Sequence, residues 1–146
     1  VDKAINMIMK GSKLIATNLD PNCPVGNGKY RAGCGAFVAM IEVATGKKAF
    51  SVGKPSPVMM RMARKKLELA TDDTVMIGDT MSTDILGAGS MGFTTVLTLS
   101  GVTKEADLEE FGYAPDFIIH SIQDLLEEAL FEKVIEKHGR DQLVTV

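Results

Sequence analysis

Apolar residues in this chain fall into short groups whose spacing alternates between that of a helix and that of a strand. Helical spacing predicts helices over residues 1–12, 35–46 and 57–70 and a last helix that Ser121 would cap. The helix at 35–46 is expected to pack through Phe37, Ile41 and Ala44. Short apolar or β-branched runs predict five strands, at 14–18, 49–53, 75–77, 94–101 and 117–120. A glycine- and proline-rich segment at 21–35 predicts a long loop. Strands that alternate with helices predict an α/β fold with a mostly parallel sheet.

The central stretch, residues 74–92, reads TVMIGDTMSTDILGAGSMG and contains two carboxylates beside a predicted strand. Asp79 follows the strand, and Asp84 enters a helix that Ser82 would cap and Gly92 would end. Because open α/β sheets bind ligands beyond the carboxyl ends of their strands, Asp79 has the usual position of a site residue. Two carboxylates there suit a hard cation such as Mg²⁺. The alternative is that both are turn residues favoured by the helix dipole.

A glycine pattern in the same stretch imitates a dinucleotide-binding motif. Gly87, Gly89 and Gly92 form GxGxxG, which binds pyrophosphate only where it joins a strand to the start of a helix. Here the glycines fall late in a predicted helix, at its electronegative end. This position argues against a dinucleotide site.

Lys54 is a candidate anion-binding residue because it precedes a strongly signalled helix start. Ser56 is a good N-cap and Pro57 stands at the first helical position. A helix N-terminus and an ammonium group together favour an anion, although a lysine in such a place can also be simply solvated. The closeness of Lys54 to the Asp79 motif favours the anion-binding interpretation.

Composition limits the classes of partner. The 146 residues have a net charge of −3, with 24% charged and 45% apolar residues, which describes a soluble globular protein without a basic surplus for nucleic acid. No apolar run approaches the roughly 20 residues that cross a bilayer. No signal peptide is visible, although a sequence that starts at Val1 can lack its true N-terminus, and Cys23 and Cys34 form no CxxC pair. We therefore expect a cytoplasmic protein with free thiols and no membrane or nucleic-acid partner.

Several motifs, taken in order, resemble the NagD-like phosphatases of the haloacid dehalogenase (HAD) superfamily. They are IATNLD, KYRAGCGAFVAMIEVATGKKAFSVGKPSP and VMIGDTMSTDILGAGSMGFTTVLTLSGV, within residues 13–128. The resemblance implies a Rossmann-like, mostly parallel sheet in which residues 49–146 are the C-terminal part of the HAD core. Residues 1–48 would be the C-terminal part of an α/β cap domain.

The resemblance also implies an activity and a set of roles. NagD-like enzymes hydrolyse small phosphate monoesters, such as nucleotides and sugar or other organic phosphates, with Mg²⁺ and through an aspartyl-phosphate intermediate. Carried over by motif, Lys54 would bind phosphate, Asp79 would be the direct metal ligand and Asp84 would support the metal site. Asn18 and Asp20 would lie in cap loops that choose the substrate. Such chemistry relies mainly on positioning and charge neutralisation.

One departure from the family pattern is decisive for the expected activity. The sequence has no DxDG or DxDxT nucleophile motif and no recognisable second motif. The nearest imitation pairs Asp20 with Asn22, and an amide cannot serve as the acid–base partner. A smaller departure is Thr80, where relatives often carry asparagine.

Three hypotheses follow from these observations. The chain is the C-terminal half of a magnesium-dependent phosphatase and is inactive alone, or it is a truncated, non-catalytic HAD relative that binds a partner or phosphate. The third is a receiver-like signalling domain with an acidic pocket. The sequence is compatible with a homodimer and leaves the physiological substrate open.

Overall fold

The computed structural model describes residues 1–127 together with Glu132 and Val134. The chain divides into two compact units, Val1–Gly53 and Lys54–Val146. The predicted division into a cap part, 1–48, and a core part, 49–146, stays a prediction. The helix predicted to follow Ser121 lies mostly outside the described residues. None of the helices within the described part of the chain has the length and apolar character needed to cross a membrane.

The first unit contains two helices and four short strands, in the order α1 (Asp2–Met9), β1 (Ile15–Ala16), β2 (Asn22–Pro24), β3 (Tyr30–Ala32), α2 (Cys34–Thr45) and β4 (Phe50–Ser51). Strands β1 and β4 pair in parallel, and β2 and β3 form an antiparallel hairpin. Ile8, Ala16 and Val38 are its buried apolar residues. The alternation of helix and strand predicted for this segment is therefore present.

Two predictions for the first unit are wrong in detail. The loop predicted at 21–35 contains the β2–β3 hairpin, which was missed because its strands are short and mostly exposed and so carry no apolar alternation. Helix α2 was expected to pack through Phe37, Ile41 and Ala44, but Phe37 is 51% exposed and Val38 is buried instead. This helix is apolar on nearly every side, so its periodicity cannot identify the buried face.

The second unit is built on a three-stranded parallel sheet with the order β5–β6–β7. Its elements are α3 (Pro57–Lys66), β5 (Val75–Gly78), α4 (Leu86–Ser90), β6 (Thr94–Thr98) and β7 (Phe117–Ile119), with 3₁₀ segments at Thr71–Asp73, Glu105–Glu110 and Ile122–Leu126. Ser56 caps α3 as predicted, since its hydroxyl accepts the Val58 N–H at 3.4 Å. The predicted mostly parallel α/β sheet is confirmed.

Strand β6 lies at the centre of this sheet and is buried along most of its length. Val96 packs with Ile119 and Val134 in one cluster, while Leu97 packs with Met81 and Ile85 in another. Full burial of a side chain of this size contributes roughly 1.5–3 kcal/mol. Because successive residues of a strand point to opposite faces, apolar side chains on both sides hold the sheet and fix the position of the loops at its carboxyl edge.

Candidate active site

The loop after β5 is the centre of the candidate site, and a widened helical turn shapes it. The Thr80 carbonyl accepts the N–H of Asp84 at 2.9 Å and that of Ile85 at 3.3 Å. Residues Met81–Ile85 therefore form a π-type turn that leads directly into α4. Turns of this kind are frequent at functional sites. The prediction that Ser82 caps the helix is wrong: Ser82 lies inside the π-type turn, and Thr80 is the N-cap of that turn, because its carbonyl accepts the first hydrogen bonds.

Asp84 is the buried anion of the site. Only 2% of the residue is exposed, and its Oδ2 accepts the Thr80 N–H at 3.3 Å. Lys54 Nζ lies 2.6 Å from Oδ1. This contact is an ion pair without hydrogen-bond geometry, and among the described residues Oδ1 accepts no hydrogen bond. A buried carboxylate needs such a cation, because an unpaired buried charge is costly.

Gly78, the last residue of β5, gives Asp84 the space it occupies. A Cβ at Gly78 would overlap the Asp84 side chain. Glycine is therefore required before Asp79 for a steric reason, whether or not the chain turns there. It allows the buried carboxylate to pack directly against the end of the strand.

Asp79 is half-buried and is held by residues from two loops. Its Oδ1 accepts the Thr80 hydroxyl at 3.3 Å, and its Oδ2 accepts the Val102 N–H at 2.9 Å. Val102 belongs to the loop after β6, whose carboxyl end meets that of β5 at the same edge of the parallel sheet. None of the site residues predicted from the sequence lies in this loop. Its place after the neighbouring strand is the signal that could have found it.

Lys54, Asp79 and Asp84 are therefore brought together through Thr80. Lys54 contacts Asp84, and Thr80 binds Asp84 through its N–H and Asp79 through its hydroxyl. The Tyr113 hydroxyl fixes the next residue of the turn by donating to the Met81 carbonyl at 3.1 Å. Burial raises the pKa of Tyr113, so the phenol keeps its proton and remains a donor.

Asn18 and Asp20 lie in the first unit, in the exposed loop between β1 and β2. The Asp20 carbonyl accepts the Gly35 N–H at 2.9 Å, and the Pro21 carbonyl accepts the Gly33 N–H at 3.0 Å. The loop backbone is thus tied to the start of α2 while both candidate side chains remain exposed. Their predicted role in substrate choice stays a prediction.

The residues of the Asp79 loop fit a magnesium ion. Among the described residues, each Asp79 oxygen accepts one hydrogen bond, and a carboxylate oxygen has capacity for a further ligand. Asp84 is engaged by Lys54 and Thr80, which suits a supporting role. Within the described part of the chain, no three His, Cys, Asp or Glu side chains are grouped so that they could hold a metal. Mg²⁺ accepts such a sparse set, because it commonly binds one or two carboxylates and keeps several waters.

Comparison with known proteins places these motifs in a family context. The model of the HAD-hydrolase-like family matches residues 51–125, just over half of the 146 residues. The chain is 39% identical over 125 residues to dihydroxyacetone phosphatase of Corynebacterium glutamicum, covering 86% of this chain and 45% of that protein. It is 40% identical over 123 residues to the ribonucleotide monophosphatase NagD of Escherichia coli, covering 84% of this chain and 48% of that protein.

A solved structure shows the same similarity in three dimensions. The p-nitrophenyl phosphatase from Archaeoglobus fulgidus superimposes with a TM-score of 0.77 at 34% identity, covering 86% of this chain and 50% of that one. The chain spans about half the length of the curated relatives it matches.

Proposed function

The chain belongs to the HAD superfamily and to its NagD-like phosphatase subfamily, and we propose on this basis that the protein carrying it is a magnesium-dependent phosphatase of small phosphate monoesters. The arrangement around Thr80 is the observation that supports this proposal. A half-exposed ammonium group, a half-buried carboxylate and a buried carboxylate converge there, at the carboxyl edge of a parallel sheet. Membership of the HAD superfamily excludes the receiver-like alternative.

Lys54 would neutralise charge on the phosphoryl group. Its side chain is 43% exposed, whereas the Asp84 side chain that holds it is 3% exposed. The carboxylate therefore anchors the ammonium group while leaving it accessible to an anion. A preorganised cation is most effective when negative charge develops on the transferred group, since it needs no reorganisation during the reaction.

Asp79 would present a carboxylate oxygen to the metal. The Thr80 hydroxyl and the Val102 N–H each bind one of its oxygens, so the side chain is oriented before any ion arrives. When bound there, Mg²⁺ would neutralise the phosphate and orient it for attack. The attacking aspartate of an aspartyl-phosphate mechanism would lie outside these 146 residues, because the sequence has no DxDG or DxDxT motif.

The substrate class is proposed from what the relatives share. Their names specify dihydroxyacetone phosphate, ribonucleotide monophosphates and p-nitrophenyl phosphate, all of which are phosphate monoesters. We propose that the exposed loop with Asn18 and Asp20 selects among such compounds. A cytoplasmic location and a homodimeric state also stay predictions.

The test is hydrolysis of p-nitrophenyl phosphate by the complete protein that carries this chain. We expect activity with Mg²⁺, its loss in EDTA and its return when Mg²⁺ is restored. Asp79→Asn should lower activity by about 10²-fold or more, because it removes the negative charge from the proposed metal ligand. Glu109→Gln is the matched control, since it neutralises an exposed carboxylate in the same unit. Activity that survives EDTA, or that Asp79→Asn leaves intact, would contradict the proposal.

The missing nucleophile motif favours a second candidate function, that of a non-catalytic phosphate-binding relative. In that case the complete protein would bind phosphate through Lys54 without turning over any ester. Binding of inorganic phosphate measured by calorimetry, in the absence of hydrolysis, distinguishes the two functions.

A further inference from the structure

The loop after β6 makes three hydrogen bonds to the Asp79 turn. We call residues 101–103 the aligning loop. The Val102 N–H donates to Asp79 Oδ2 at 2.9 Å, and the Thr103 N–H donates to the Asp79 carbonyl at 2.9 Å. In the opposite direction, the Met81 N–H donates to the Thr103 hydroxyl at 3.0 Å. The aligning loop therefore binds Asp79 through both its side chain and its backbone, and it also holds Met81.

The three residues of the aligning loop differ in exposure according to what they contact. Thr103 is 5% exposed, and its hydroxyl lies between the two loops, whereas Val102 is 63% exposed and contributes its backbone N–H. A Cβ at Gly101 would overlap the Asp79 carboxylate. The absence of a side chain at position 101 is thus what allows the carboxylate to lie against the loop.

We propose that Gly101 and Thr103 are positioning residues that set the direction of the Asp79 carboxylate toward its metal ion. This inference rests on the proposed function. An aspartate has two rotatable side-chain bonds, and hydrogen bonds to both of its oxygens restrict them. Thr103 fixes the distance between the loops, and Gly101 permits the close approach that the Val102 hydrogen bond requires.

The consequence is a dependence of metal affinity on residues that do not touch the metal. Groups that orient a metal ligand typically change metal affinity or activity by about 10–100-fold when they are altered. A carboxylate turned away by a new side chain would have to rotate back when the ion binds. Metal affinity should therefore fall even though every ligand atom is still present.

The first experiment is a calorimetric titration of the complete protein with Mg²⁺, compared between Gly101→Ala and Gly112→Ala. Gly112 is the control because an added Cβ there meets no atom within 4 Å and its φ does not require glycine. We expect Gly101→Ala to weaken Mg²⁺ binding by about 10-fold or more and Gly112→Ala to leave it unchanged. Unchanged affinity in folded Gly101→Ala would overturn the inference.

The second experiment separates positioning from simple stabilisation and does not depend on Gly101→Ala folding. Thr103→Val keeps the shape of the side chain but removes the acceptor of the Met81 N–H, whereas Thr103→Ser keeps the hydroxyl. We expect Thr103→Val to weaken Mg²⁺ binding by about 10-fold and to reduce the rise in Tm at a fixed Mg²⁺ concentration. Thr103→Ser should keep most of the Mg²⁺ affinity and most of the rise in Tm with Mg²⁺.

A purely structural role would predict a different result. Thr103→Val would then lower Tm without metal but leave the Mg²⁺ affinity of the folded protein unchanged, which would overturn the inference. Wild-type protein that binds no Mg²⁺ would overturn the proposed function as well. Wild-type binding that neither Gly101→Ala nor Thr103→Val weakens would overturn the inference alone.

Discussion

Removal of Lys54 and neutralisation of Asp84 both break the same ion pair, but they should destabilise the protein by different amounts. Lys54 Nζ lies 2.6 Å from Asp84 Oδ1, with the two side chains 43% and 3% exposed. If Asp84 loses its charge, the ammonium group can turn into water. If Lys54 is removed, the carboxylate stays buried without a cation. Removal of the lysine should therefore cost more stability than neutralisation of the aspartate.

The expected magnitudes follow from this difference in burial. Lys54→Met should cost about 2–4 kcal/mol, toward the lower end of what breaking a buried pair costs, because the Thr80 N–H still binds Asp84. Asp84→Asn should lower the free energy of unfolding by about 1–2 kcal/mol, because it replaces an interaction with a charged carboxylate by a weaker one with a neutral amide. The double variant should be more stable than Lys54→Met, with a coupling energy of at least about 1 kcal/mol.

Urea unfolding followed by circular dichroism in EDTA measures these free energies without a contribution from metal binding. Lys65→Met is the matched control, since Lys65 is exposed on α3 and should change stability by no more than about 0.5 kcal/mol. A larger loss of stability in Asp84→Asn than in Lys54→Met would contradict this prediction. Additive effects of the two substitutions would also contradict it, because the ion pair would then contribute no coupling energy.

Three further predictions concern catalysis, pH and the isolated chain. Lys54→Ala should lower kcat by about 10²-fold or more, because a cation that acts on the transition state is lost; a rise in KM with kcat unchanged would make Lys54 only a ground-state contact. Tyr113→Phe should cost about 0.5–1.5 kcal/mol through its hydrogen bond to Met81. Because burial raises the pKa of Tyr113 above 10.0, the folded phenol holds its proton when the unfolded one has lost it. The stability that the buried phenol contributes is therefore complete below about pH 10 and is lost as the pH rises through the raised pKa of the folded protein. Urea unfolding at several alkaline pH values should show this loss in the wild type but not in Tyr113→Phe. Residues 1–146 expressed alone should show no phosphatase activity and should aggregate, because β5 is an edge strand of the described sheet; a soluble, cooperatively melting, active chain would instead make Asp20 the first residue to mutate.

Much of the fold could be predicted from short-range signals. The apolar run at Val75–Ile77, the β-branched run of β6 and the Ser56–Pro57 helix start all lead to elements found in the structure. These signals depend on residues that are neighbours in the sequence, so they need no knowledge of the rest of the chain. The same holds for Asp79, whose place directly after β5 puts it at the edge of the sheet where sites occur.

Contacts between distant segments could be decided only by the tertiary structure. The buried face of α2 and the β2–β3 hairpin escaped prediction because neither has a distinct apolar periodicity. The aligning loop escaped because its hydrogen bonds to Asp79 depend on which strand lies beside β5 and in which register. The sequence identifies Lys54, Asp79 and Asp84 as candidate site residues, each from its own local motif. Only the packing of β5, α4 and the loop after β6 buries the Asp84 carboxylate against Lys54 and leaves the Asp79 carboxylate oriented for a ligand.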